Sequence, residues 1–191
     1  MELLALGLLL FLGAHSVRIV AEPWRKRQIA RFGANGWKGL YSLVSLAGIV
    51  MVSIGFGRAG PQEPLWHPPF FMAHVTALLV LIAFILVTAA YVPGNHFKAK
   101  LGHPMVLGVK IWAFAHLLSN GQPRHLLLFG AFLVWAIVDF ASFRRRDRAG
   151  GVTYPAGGVK GDLVTIVGGV VGWLLFAAYL HRILIGVSPL G

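Results

Sequence analysis

The 191-residue sequence contains no cysteine and only six acidic residues. Without thiols there is no disulfide framework, no thiolate metal site, no thiol nucleophile and no cysteine-ligated haem. HExxH is absent, and only Asp139, Asp147 and Asp162 follow Glu63 among the carboxylates, which leaves a hydrolytic zinc centre without a ligand set. GxSxG elbows and phosphate-binding Walker loops are missing too, so acyl and phosphoryl transfer have no visible apparatus. Charge is scarce: 12% of residues are charged and 57% apolar, against about 25% and about 45–50% in soluble domains. The mean hydropathy is +0.74. A soluble nucleic-acid binder is excluded despite the net charge of +11, because its charge would be spread over a soluble fold.

What is present is a series of long apolar runs. A bilayer-spanning helix needs about 20 mostly apolar residues, and six candidates occur at 3–20, 37–57, 70–92, 104–120, 125–143 and 162–186. The third has no Asp, Glu, Lys or Arg, while the fourth is shorter and carries Lys110. The ten-residue polar/apolar alternation of an outer-membrane barrel is absent. The expectation is all-α: a polytopic transmembrane bundle of about six helices, forming a single domain over 1–191. The first run opens Met1-Glu2 without a basic leader and is read as a retained span rather than a signal peptide.

The loops orient the bundle. Thirteen of the 17 Lys/Arg lie between runs one and two, three and four, or five and six, counting Arg18 and Lys38 at the ends of the first two runs. Arg58, Arg124 and Arg182 lie on the other side. By the positive-inside rule both termini are expected in the periplasm of a bacterial inner membrane. The basic charge then speaks for anionic lipid at the cytoplasmic face, and not for nucleic acid. The stretch 22–38 interleaves basic residues with Trp24, Ile29 and Phe32, as an interfacial helix would; the plainer alternative is a solvated basic loop. Glycines at 150–151 and 157–158 predict a flexible linker. Gly168, Gly169 and Gly172 predict close helix approach.

Polar groups at membrane depth are costly and mark candidate sites. Histidine is the abundant one, with eight copies. A single intramembrane histidine is usually polar glue between helices. Three on different helices of a cysteine-free chain make a bound metal centre competitive: His15 in the first span, His74 in the third and His116 in the fourth. At about 1.5 Å of rise per residue, His15 lies roughly 18 Å from the outer surface and His116 roughly 6 Å, an offset of about 12 Å that a tilted haem would have to absorb. His74 and His116 match in depth without tilt, so the residues alone rank the two pairs equally. His103 and Lys110, seven residues apart, share a helix face. The short connection between spans four and five makes them an antiparallel hairpin and a Lys110–Asp139 pair natural, relieving two charges that are expensive alone.

The run Leu101-Gly102-His103-Pro104-Met105-Val106-Leu107-Gly108, followed by Trp112, Ala115-His116-Leu117-Leu118 and Asn120-Gly121, resembles the signature of NnrU-type membrane proteins. Gly13-Ala14-His15-Ser16 matches a second landmark, and Trp135, Asp139 and Arg144–Arg148 fit the helix that follows. The resemblance spans essentially the whole chain. It implies a link to nitrite and nitric-oxide metabolism. The family is similar in turn to the plant 15-cis-zeta-carotene isomerase, a membrane enzyme with b-type haem. That similarity implies haem b on His15 and His116, with His103 a nearby polar position and His74 the alternate ligand. The plant enzyme has a cysteine three residues before its second ligand; here the position is Ala113, so a thiol-based ligand switch is excluded.

Three functions from different classes follow. One is a haem-b membrane protein of nitrogen-oxide metabolism. Another is a haem-dependent cis–trans isomerase of a polyene, with an apolar small molecule between aromatic side chains such as Phe84, Trp112, Phe132 and Trp135. The third is a non-enzymatic assembly partner of a membrane reductase, with the histidines as structural glue.

Overall fold

A computed structural model describes residues 1–189. Every regular element among them is helical: α1 (Glu2–Val20), α2 (Glu22–Arg58), α3 (Met72–Tyr91), α4 (His96–Leu101), α5 (Pro104–Ser119), α6 (Pro123–Gly150), α7 (Val159–Leu175) and α8 (His181–Ile185), with a π-helical turn, Phe176–Leu180, joining α7 to α8. Helices satisfy their own backbone groups, which the interior of a bilayer demands. Five segments are long and apolar enough to cross a membrane, the last being α7 through α8. The chain is an integral, multi-pass membrane protein.

The fourth expected span comes out shorter than the rest. Pro104 opens α5 and the helix ends at Ser119 before extended Asn120, leaving 16 residues. Such a helix is about 24 Å long, less than the roughly 30 Å hydrocarbon core.

The chain falls into two compact units: Met1–Leu65 with Gln122–Ala131, and Trp66–Gly121 with Phe132–Gly191. In the first, α1 and α2 form an antiparallel hairpin set by missing side chains. A Cβ on Gly7 would stand 2.6 Å from the Val52 backbone nitrogen, and one on Gly48 2.7 Å from that of Phe11. Apolar helices have no hydrophobic drive toward each other in lipid, so close backbone approach supplies the attraction. The basic stretch after α1 is helical. It is separated from the apolar part of α2 at Gly33, whose φ of 73° and ψ of 165° break the helix where a side chain would be strained. Trp24 and Trp37 meet edge to face across that break, with ring centroids 5.8 Å apart.

In the second unit α3 packs antiparallel to both α5 and α7. The Thr76 hydroxyl donates to the Ala115 carbonyl at 2.9 Å, and a Cβ on Gly169 would lie 2.6 Å from the Ile85 Cα. Gly169 thus performs the close approach expected of it. Buried Asn95 organises the connection to α4. It donates to the Ala89 and Val92 carbonyls and accepts from the Lys98 amide at 2.7 Å, capping the helix.

The glycine-rich linker departs from the flexible segment expected. Gly158 N–H donates to the Gly94 carbonyl at 2.9 Å, and Val152 N–H to the Asp147 carbonyl at 3.0 Å. Gly157 lies so close to the His96 backbone that no Cβ fits. Gly157 and Gly158 serve contact, not slack.

Opposite signs are expected from one added methyl group at different glycines. Gly48→Ala and Gly169→Ala force backbone apart and cost about 1–3 kcal/mol each. Gly57→Ala, which meets nothing within 4 Å, gains roughly 0.5–1 kcal/mol from its helical position. Thermal unfolding in detergent reads the difference, and equal effects at all three positions would refute this packing account.

Candidate functional site

His15 and His116 stand on different units and share one local geometry. In α1, His15 Nδ1 lies 2.7 Å from the Phe11 carbonyl oxygen; in α5, His116 Nδ1 lies 2.9 Å from that of Trp112. A carbonyl only accepts, so in both rings Nδ1 carries a hydrogen, and in the neutral form of either ring the lone pair is on Nε2. The bond to the preceding turn also holds each ring's orientation. His15 is half-buried among rings, 4.2 Å from Phe11 and 5.1 Å from Tyr41 between centroids. His116 is likewise half-buried, 5.3 Å from Trp112, which stands edge-on to Phe132 at 5.5 Å. Asn120 fixes the end of α5 by donating to the His116 carbonyl at 2.8 Å.

Thirteen residues before His116, about 20 Å along the helix, His103 enters a different constellation. Its Nε2 lies 2.8 Å from Asp147 Oδ2 and 2.9 Å from the Tyr154 hydroxyl, which itself donates to Asp147 at 2.8 Å. The ring stacks on Phe143 at 4.2 Å. Gly102, with φ 74°, turns the chain from α4 into α5, and a Cβ there would meet the Tyr154 ring at 2.9 Å. Three segments are thereby tied together: the start of α5, the end of α6 and the linker before α7. Burial pushes the Tyr154 phenol up to about 12, reinforced by its bond to Asp147 and that carboxylate's charge. For Asp147, past the apolar part of α6, burial alone would raise the carboxyl. The bonds from Tyr154 and His103 and the charges of His103 and Arg144 outweigh it and leave it below the ordinary range.

A family model described as NnrU protein matches residues 3–189. The chain belongs to the NnrU family. No curated protein and no solved structure matches it.

In this NnrU-family chain the remaining expected site residues lie on α3, α5 and α6. His74 is exposed at the start of α3, its ring edge-on to Phe70 at 5.6 Å, without the carbonyl anchor of the other two. Asp139 is buried, at 7% exposure, whereas Lys110 holds its ammonium 6.0 Å from the ring centroid of neighbouring Phe140. The contacts of His103 with Asp147, Lys110 with Phe140 and Trp112 with Phe132 run in antiparallel order, the hairpin direction expected for α5 and α6. No group of three or more His, Asp or Glu side chains placed to hold a metal ion occurs among the described residues. Asp147 and Tyr154 were not legible as partners of His103. Asp147 is one acid inside Arg144–Arg148, and Tyr154 is an aromatic in a glycine-rich stretch; that isolated aromatic was the available signal.

The cluster makes stability depend on acid. Asp147 binds its proton more weakly folded than unfolded, so its contribution is complete above the ordinary carboxyl range and is lost as pH falls through the depressed folded value. Asp147→Asn is expected to flatten that acid limb in thermal melts recorded against pH. Tyr154→Phe removes one donor to the carboxylate and costs about 1–2 kcal/mol at neutral pH. Superimposable pH curves for wild type and Asp147→Asn would contradict the assignment.

Proposed function

We propose that this NnrU-family protein binds haem b through His15 and His116 and serves nitrite or nitric-oxide metabolism in the bacterial inner membrane. The shared Nδ1–carbonyl bond is the observation that carries the reading. Ligating imidazoles characteristically donate their other nitrogen to a carbonyl or carboxylate, which fixes the tautomer and raises ligand basicity. The donor set suits the group, since two imidazoles in apolar, ring-lined surroundings are ordinary ligands of a b-type haem. Bound haem supplies reversible one-electron chemistry, tuned by ligand and burial. The chain's part is to hold the two rings and keep water from them with Phe11, Tyr41 and Trp112. His103 acts as a structural tie and not as a ligand, because its Nε2 is engaged by Asp147 and Tyr154.

The polyene-isomerase reading draws on the aromatic pair Trp112 and Phe132 beside His116. A pigment change on adding zeta-carotene to membranes that contain the protein would favour it. For topology, the 13 basic residues on one set of loops support cytoplasmic placement of that side and periplasmic termini. Alkaline phosphatase fused after Gly191 is then active, and inactive when fused after Arg148; the reverse pattern refutes the orientation.

The decisive experiment is an absorption spectrum of the detergent-purified protein, oxidised and dithionite-reduced. A Soret band and a sharp reduced α band are expected, lost in His15→Ala and in His116→Ala and retained in His103→Ala. Loss in His74→Ala with retention in His15→Ala would move the ligand pair to His74 and His116. A wild-type protein that stays colourless after haem supply overturns the proposal.

A further inference from the structure

The outward face of α6 carries a feature that the histidines do not explain. Its open surface here is a shallow strip along this one helix, with Ile137, Val138, Phe140 and Ala141 toward one end and Arg144, Arg145 and Arg148 toward the other. Positions 137, 141, 145 and 148 follow helical spacing, so they form one stripe. Ile137 and Val138 are 45% and 44% exposed, and Ala141, Arg145 and Arg148 are exposed too. Ile137 to Arg148 spans about 16 Å along the axis, enough for a polar headgroup and the first part of an acyl chain.

The four arginines of this segment do not act alike. Arg146 turns back onto the helix: its Nη1 donates to the Ser142 hydroxyl at 2.5 Å and its guanidinium lies 4.5 Å from the Phe143 ring centroid. Arg144 reaches Asp147 at 3.9 Å, a carboxylate already accepting from Tyr154. Arg145 and Arg148 project from the end of an apolar membrane-spanning segment. A row of aliphatic side chains that leads into clustered guanidiniums complements one kind of molecule, apolar along its length and anionic at its head.

From this we infer that the outward face of α6 is a binding site for an anionic diacyl phospholipid. The acyl chain lies along Ile137, Val138 and Ala141, and the phosphate accepts from Arg145 and Arg148, with Arg144 at the edge. Arginine suits the role because its planar fork pairs with phosphate through two hydrogen bonds. The site is independent of haem, and its occupant comes from the surrounding bilayer.

The test is native mass spectrometry of the detergent-purified full chain titrated with dioleoyl phosphatidylglycerol, with dioleoyl phosphatidylcholine of identical chains, and with inorganic phosphate. Phosphatidylglycerol adducts are expected to survive activation that strips phosphatidylcholine. The Arg145→Gln/Arg148→Gln variant should bind phosphatidylglycerol roughly 30-fold more weakly, given the contribution of each basic residue near an anionic headgroup. A matched variant in the other basic stretch, Arg27→Gln/Arg31→Gln, should bind it as the wild type does. Thermal melts in detergent without lipid confirm that both variants are folded; should the α6 double variant not fold, Arg148→Gln alone is used. Equal retention of the two lipids, equal weakening by the two double variants, or displacement by millimolar inorganic phosphate would each overturn the proposal.

Discussion

Two helix pairs in this protein approach so closely that a methyl group has no room, at Gly7 and Gly48 in α1 and α2 and at Gly169 against α3. In water such contacts would be one contribution beside a large hydrophobic term. In lipid the tails are as apolar as leucine, and close packing with a few interhelical hydrogen bonds must do the holding. The two candidate ligand histidines stand on helices fixed this way. His15 is carried by the helix that Gly48 admits against α2. His116 sits on α5, which the Thr76–Ala115 bond ties to α3.

On those helices, polar side chains are settled locally before they are offered to anything else. His15, Ser16, Thr88 and His116 each bond a carbonyl four residues earlier. For serine and threonine this merely satisfies a hydroxyl in an apolar setting. For imidazole it does more, because satisfying one nitrogen decides the state of the other. A bond that lowers the cost of burying histidine also selects the tautomer, leaving Nε2 the lone-pair nitrogen of the neutral ring. His103 resolves the same problem differently, through a carboxylate and a phenol, and becomes a tie between segments.

Legibility in the sequence followed the nature of each signal. Long apolar runs predicted the all-α membrane bundle, because span length is set by the bilayer. The glycines at 168, 169 and 172 predicted close approach, and the structure puts Gly169 against Ile85. Family landmarks pointed to His15 and His116, and helical geometry supplied the direction of the α5–α6 hairpin. Tertiary facts were not accessible. Tyr154 sits among glycines that mark flexibility by composition, yet Gly157 and Gly158 are spent on contacts with His96 and Gly94. The partnership of His103 with Asp147 joins residues 44 apart in sequence, and no local pattern encodes it. Gly33 was inconspicuous for the same reason, since only its backbone angles reveal the break in α2.

The run Arg144–Arg148 shows why counting charge is a coarse reading. Summed, it contributes to a positive-inside signal; resolved, its members diverge. Helical periodicity turns Arg146 back toward Ser142 and Phe143 while Arg145 and Arg148 point outward, and Arg144 leans on the carboxylate that holds His103 and Tyr154. Asp147 is what makes so dense a basic run tolerable at the end of α6. It offsets part of the repulsion, and its remaining lone pairs serve the tie between α5, α6 and the linker. Neutralising that one acid therefore loosens two things at once, the fastening of Tyr154 and the placement of Arg144. The same argument predicts that Asp147→Asn changes phosphatidylglycerol retention in native mass spectrometry more than Tyr154→Phe does, because only the first substitution removes negative charge from beside the arginines.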